Sequence, residues 1–101
     1  MAIDVRNQPE QSRYAVFADD ELAGFAAYQP GEGEISLTHT EIDSRFEGKG
    51  LGSGLARGVL DDARAQQLAV IPHCEFIAGY IKRHEEYVDL VPADRRTEFG
   101  L

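Results

Sequence analysis

Tryptophan is absent from this chain of 101 residues, and cysteine and methionine occur once each. A lone thiol, Cys74, permits no intrachain disulfide, so the fold has to rest on its packed core. No apolar run approaches the ~20 residues that span a bilayer. The N-terminus has no basic segment followed by an apolar one, so no secretory leader is expected. These gaps point away from membrane and secretory classes and toward the cytoplasm. Positive charge is scarce too: 10 Lys and Arg face 18 Asp and Glu, a net charge of −8, with a pI near 4.7. Nucleic-acid binders need a basic footprint to displace counterions, so that class is set aside. The acidity would attract a cationic small molecule or a basic peptide, although a solvated acidic surface accounts for it as simply. No His, Cys or carboxylate pair has metal-ligand spacing, and no metal is expected.

What is present fits an ordinary globular protein: 43% hydrophobic and 28% charged residues. The length suits a single domain over residues 1–101, with room for one sheet and two or three helices. Ile3-Asp4-Val5 reads as a short edge strand. Arg13–Ala18 and Leu22–Tyr28 read as a hairpin about a polar Asp19-Asp20-Glu21 turn. Pro30-Gly31-Glu32-Gly33 is the next break, and Glu34–Ile42 the next strand. In that strand Ile35 and Leu37 share one parity while Ile42 has the other. An extra residue between Leu37 and Ile42, a β-bulge, would produce the switch, and so would a strand that leaves the sheet after Thr40. Leu51, Leu55, Val59, Leu60 and Ala63 predict a helix over about 49–67 with one buried stripe. Gly58 inside it implies close packing. Leu68–Cys74 is expected as a buried strand, parallel to the strand before the helix through a right-handed crossover. A second amphipathic helix carries Phe76, Ile77, Tyr80 and Ile81, and residues 92–101 are expected as a loosely ordered tail.

Between the strand and the first helix lies Glu47-Gly48-Lys49-Gly50-Leu51-Gly52-Ser53-Gly54. A glycine-rich turn opening a helix offers unpaired N–H groups at the positive end of the helix dipole, a ready site for phosphate. A P-loop would need Gly-x-x-x-x-Gly-Lys-Ser/Thr, but Asp43 stands five residues before Gly48 and Gly50 follows Lys49. The dinucleotide spacing Gly-x-Gly-x-x-Gly fails as well, since Ser53 follows Gly48 and Gly50 at the third glycine position. What remains is Gly-x-Gly-x-Gly after antiparallel strands and before a parallel one.

That arrangement resembles the GNAT N-acetyltransferases. Glu47-Gly48-Lys49-Gly50-Leu51-Gly52 is similar to their acetyl-coenzyme A signature, Gln/Arg-x-x-Gly-x-Gly/Ala, with Glu47 standing where the signature has Gln or Arg. More narrowly, His39-Thr40-Glu41, the glycine turn, Cys74 and Tyr80 resemble a short branch of GNAT-like proteins of about this length. The resemblance covers roughly Arg13 to Tyr87. It implies an α/β, mixed-sheet fold: an antiparallel N-terminal meander, then strand, glycine turn, helix, parallel strand and helix. It also implies acetyl-coenzyme A as co-substrate, with its pyrophosphate on the amides of Gly48, Lys49, Gly50, Leu51, Gly52 and Ser53. The pantetheine would pair with free backbone groups near Thr40, Glu41 and Ile42, where the two parallel strands splay apart.

Acetylation of an amine requires loss of a proton from a group of pKa ~10.4, a donor for the developing oxyanion and an acid near the leaving thiolate. His39 and Glu41 flank the expected bulge, and either can accept the proton. Cys74 is either a small buried residue or, if it meets the acetyl group, a nucleophile with His39 or His73 as activator. The resemblance places Tyr80 as the proton donor to the thiolate; a core aromatic beside Phe76 is the alternative. Two functions follow. One is an acetyl-coenzyme A-dependent N-acetyltransferase acting on a small-molecule, peptide or protein amine. The other is a non-catalytic coenzyme A-binding module. An exposed edge strand leaves the protein a monomer or a weak homodimer.

Overall fold

In the computed structural model, which describes residues 1–101, five strands form one sheet in sequence order. β1 (Ile3–Gln8), β2 (Arg13–Ala18), β3 (Glu21–Gly31) and β4 (Glu34–Ile42) make the antiparallel meander. The chain then enters α1 (Leu51–Ala65), returns as β5 (Ala69–Pro72) parallel to β4, and continues into α2 (Glu75–Arg83). This is the mixed-sheet α/β fold the sequence implies. α1 is shorter than expected because left-handed residues bound it: Gly50 caps its start at φ 78° and Gln67 follows its end at φ 59°. β5 stops at Pro72, short of Cys74, which instead caps α2 while its N–H bonds the Leu37 carbonyl at 2.9 Å.

The parity switch in β4 is a bulge. Ala27 faces His39 and the next residue, Tyr28, faces Leu37, so Thr38 is the extra residue. Its hydroxyl turns back to the Ala27 carbonyl at 3.3 Å. Before the bulge Ile35 and Leu37 point into the core; after it, Thr40 and Ile42 take that side and His39 and Glu41 take the other.

α1 and α2 lie side by side on one face of the sheet. Tyr87, beyond α2, donates to Asp61 of α1 at 2.7 Å, and Arg64 of α1 grips Asp89 at 2.9 Å. The core between helices and sheet includes Tyr14, Leu37, Leu55, Leu60, Ile77 and Tyr80. On the reverse face, Arg13, Phe17, Phe25, His39 and Glu41 remain partly or fully exposed. The seat of α1 on β1 is tight. A Cβ on Gly58 would lie 2.9 Å from the Val5 side chain, and one on Gly54 would lie 3.3 Å from Ile3.

Residues 92–101 depart from the loose tail expected of them. Ala93–Arg95 and Thr97–Phe99 wind as 3-10 turns. Arg96 Nε donates to the Val91 carbonyl at 2.9 Å, Arg95 pairs with Glu98 at 3.0 Å, and Phe99 meets His73 edge-on. The polar composition of the segment hid these local contacts.

Two outcomes follow from the packing. In an open helix interior Gly→Ala gains up to about 1 kcal/mol. At Gly58 the collision with Val5 reverses the sign, so Gly58→Ala lowers the urea-unfolding free energy by roughly 1–3 kcal/mol; a stabilised variant would contradict this seat. Burial and then the Asp61 hydrogen bond push the Tyr87 phenol up to about 12. A folded-state value above the unfolded ~10 gives stability that is whole below pH ~10 and is lost as pH rises through ~12. Urea titrations across that window therefore fall less steeply in Tyr87→Phe, and an unchanged slope refutes the assignment.

Candidate active site

Both helices begin where the parallel strands end, so their N-termini converge at one edge of the sheet. No side chain caps α1, and the first amide of the helix to find a partner is that of Gly54, which bonds Gly50 O at 3.0 Å. The N–H groups of Leu51, Gly52 and Ser53 are thus unpaired within the helix. Gly48 and Gly50 both have φ near +77°, and a Cβ on either would meet nothing within 4 Å. The backbone is open to a ligand there, and the conformation is one that L-residues adopt at a cost. The twin positive ends of α1 and α2 make this edge attractive to an anion even in an acidic protein.

A cavity of about 270 Å³ sits on the turn. Of the residues expected to hold a coenzyme, Ile42, Gly48, Gly50, Leu51, Gly52 and Ser53 line it. Lys49 is exposed outside the lining, and Thr40 and Glu41 are elsewhere. Glu47 lines the cavity and is exposed to water. Two further lining residues escaped the sequence reading, Phe46 and Phe76. Phe76 is 38% exposed, and its ring lies 2.8 Å from where a Gly52 Cβ would be. The available signal was its four-residue spacing to Tyr80, which sets both rings on the α1 side of α2 while Ile77 and Ile81 face the sheet.

The pairing of β4 with β5 ends at Leu37 and Pro72, although β4 runs on to Ile42. Its outer edge beyond the bulge has no strand partner. Cys74 and Thr40 meet across this opening, the thiol donating to the hydroxyl at 3.1 Å. Cys74 is 9% exposed at the N-cap of α2. Neither expected activator joins it: His73 packs against Phe99, with ring centroids 5.4 Å apart, and His39 lies on the reverse face.

His39 and Glu41 stand together on that reverse face, Nε2 to Oε2 3.9 Å, with side chains 61% and 64% exposed. Strand alternation separates them from Thr40, and the bulge decides that Thr40, not His39, faces Cys74. Glu41 lines a second cavity, of about 390 Å³, with Leu22, Phe25, Asp43 and Ser44. Asp43 is committed there: hydrogen bonds from Arg45 hold its carboxyl below the usual range. Tyr80 is buried at 1% exposure, stacked on His84 with centroids 3.9 Å apart. Its hydroxyl neighbours Arg57 of α1, whose guanidinium it raises above its ordinary value.

Comparison with known proteins agrees with this geometry. A GCN5-like candidate N-acetyltransferase from Staphylococcus aureus shares the fold at a TM-score of 0.67, with 20% identity over 88% of this chain and 87% of that one. Ard1 from Thermoplasma volcanium aligns at 0.52, with 24% identity over 60% of this chain and 43% of its own. A candidate GNAT-family acetyltransferase from Desulfovibrio desulfuricans aligns at 0.52, with 23% identity over 73% and 52%. At such identities these structures show the fold alone. No curated protein matches the chain. The model of the GCN5-related N-acetyl-transferase family matches residues 13–90, which include β2 to β5, the glycine turn and both helices, and the chain belongs to that family.

Proposed function

We propose that the protein transfers an acetyl group from acetyl-coenzyme A to an amine, the donor and the acceptor reaching β4 from opposite faces of the sheet. The observation that carries this reading is Ile42. It lines both the cavity on the glycine turn and the cavity beside Glu41, so the end of one strand divides two ligand spaces.

Acetyl-coenzyme A supplies the acetyl thioester. The chain supplies the rest. The unpaired amides of Leu51, Gly52 and Ser53, with the open backbone at Gly48 and Gly50, suit a pyrophosphate, and Lys49 adds a mobile positive charge. The unpartnered edge of β4 from Thr40 to Ile42 has backbone groups for the pantetheine amides. On the reverse face Glu41 accepts the proton of the amine, with His39 beside it to share the charge. Tyr80 is the remaining proton donor for the leaving thiolate. Cys74 has Thr40 as its partner and no base, which supports direct transfer with the thiol as part of the wall.

Thermal shift with coenzyme A thioesters, then a panel of small and peptide amines, tests each part. Acetyl-coenzyme A raises the melting temperature, and Gly50→Val abolishes the rise; no stabilisation of the wild type would remove the donor from the reading. With a productive amine, Glu41→Gln lowers kcat by about 10²-fold, whereas Cys74→Ala retains most activity. An acetyl group found on Cys74 by mass spectrometry would overturn direct transfer. Tight binding with no turnover on any amine would support the non-catalytic coenzyme A module instead.

A further inference from the structure

β1 is one of the two outer strands of the sheet, and we propose that it joins a second copy of the chain by antiparallel pairing centred on Val5, making one continuous ten-stranded sheet. The backbone comes first. The Ala2 carbonyl accepts the Asp19 N–H at 2.9 Å, so the groups of Ala2 point toward β2. β1 pairs with β2 without irregularity. By alternation Asp4, Arg6 and Gln8 direct their N–H and C=O groups inward, and Ile3, Val5 and Asn7 direct theirs out into the open edge. An edge with three consecutive outward residues is a template for another strand.

The side chains then select the register. A two-fold axis at Val5 sets Ile3 opposite the partner's Asn7, which is another outward-facing residue, so hydrogen-bonded pairs form along the edge. Asp4 falls opposite the partner's Arg6 at the closely spaced non-hydrogen-bonded positions, where a charge pair is favourable. A shift of two residues either way would set Asp4 against Asp4 or Arg6 against Arg6, and both are repulsive. Only one register is therefore self-complementary. Within the chain Arg6 bonds Asp4 at 2.6 Å and Asp20 at 3.2 Å and lies over the Phe17 ring, so the pairing across the dimer exchanges partners within an existing charge cluster. Ile3 adds an apolar reason: it is 43% exposed in the free monomer, at the edge the second copy covers. Both copies satisfy the same contacts, as a closed isologous dimer requires.

Sedimentation velocity over a concentration series reads the assembly. The wild type forms a reversible dimer. Arg6→Asp places Asp opposite Asp, and Asp4→Arg places Arg opposite Arg; each weakens association by roughly tenfold or more. Mixed in equal amounts, the two variants restore opposite charges at both positions and form a heterodimer. Circular dichroism confirms that each variant is folded. A wild type that stays monomeric at high concentration overturns the proposal, as does a dimer that neither charge variant weakens. None of these results depends on coenzyme binding.

Discussion

The extra residue at Thr38 sets the geometry on which the rest of the site depends. Up to Leu37, β4 is clamped on both sides, by β3 and by β5, and its core-facing residues are ordinary apolar ones. One inserted residue shifts the parity of everything after it. Thr40 and Ile42 then turn to the helix side and His39 and Glu41 to the other. β5 ends at the same level in Pro72, which has no N–H with which to extend a ladder. A strand with a free edge, a polar side chain toward Cys74 and a titratable pair on its far face is thus produced by a single insertion and a single proline. The glycine turn begins at Glu47, five residues after Ile42, and inherits its position from where β4 stops.

Glycines along that turn share a sequence pattern but differ in physical cause. Gly48 and Gly50 have positive φ and open space above them, which suits backbone approach by a ligand. Gly52 has neither; its missing side chain makes way for the Phe76 ring. Gly54 and Gly58 make way for Ile3 and Val5. The alternate spacing therefore superimposes a ligand requirement on helix–helix and helix–sheet requirements. A single glycine pattern thus serves backbone exposure at some positions and close packing at others. It also ties the site to the fold: moving α1 away from β1 would lift the unpaired amides of Leu51 to Ser53 out of line with β4.

Much of this was legible in the sequence because it is written in local periodicity. The parity of Ile35, Leu37 and Ile42 required a switch in the strand, and the stripe from Leu51 to Ala63 required a helix packed on the sheet. The side of the sheet on which a residue ends up is another matter. His39 and Cys74 seemed natural partners from their positions at two strand ends, yet the bulge, one of the two explanations that the parity switch allowed, places them on opposite faces. Phe46 and Phe76 were missed for a related reason: their importance comes from a cavity formed between segments 30 residues apart, and no window of sequence contains both. The tail from Pro92 onward failed for want of periodicity, since 3-10 turns held by Arg95, Arg96 and Phe99 leave no regular apolar pattern.

Charge bears on how an acidic protein would hold the proposed anionic donor beside a cationic acceptor. The net charge of −8 would repel a pyrophosphate at long range. No acidic residue stands in the first turn of α1, but Glu75 stands in that of α2 and Glu47 lines the cavity, so the local attraction for an anion comes from the unpaired backbone N–H groups. On the reverse face the sign changes. Arg45 neutralises Asp43, which leaves Glu41 as the uncommitted carboxylate of that cavity, shared only with His39. One strand thus separates a pocket lined by unpaired amides from one lined by an uncommitted carboxylate. In the proposed reaction the phosphates of the coenzyme and a protonated amine are opposite in charge, and each favours a different face of the strand.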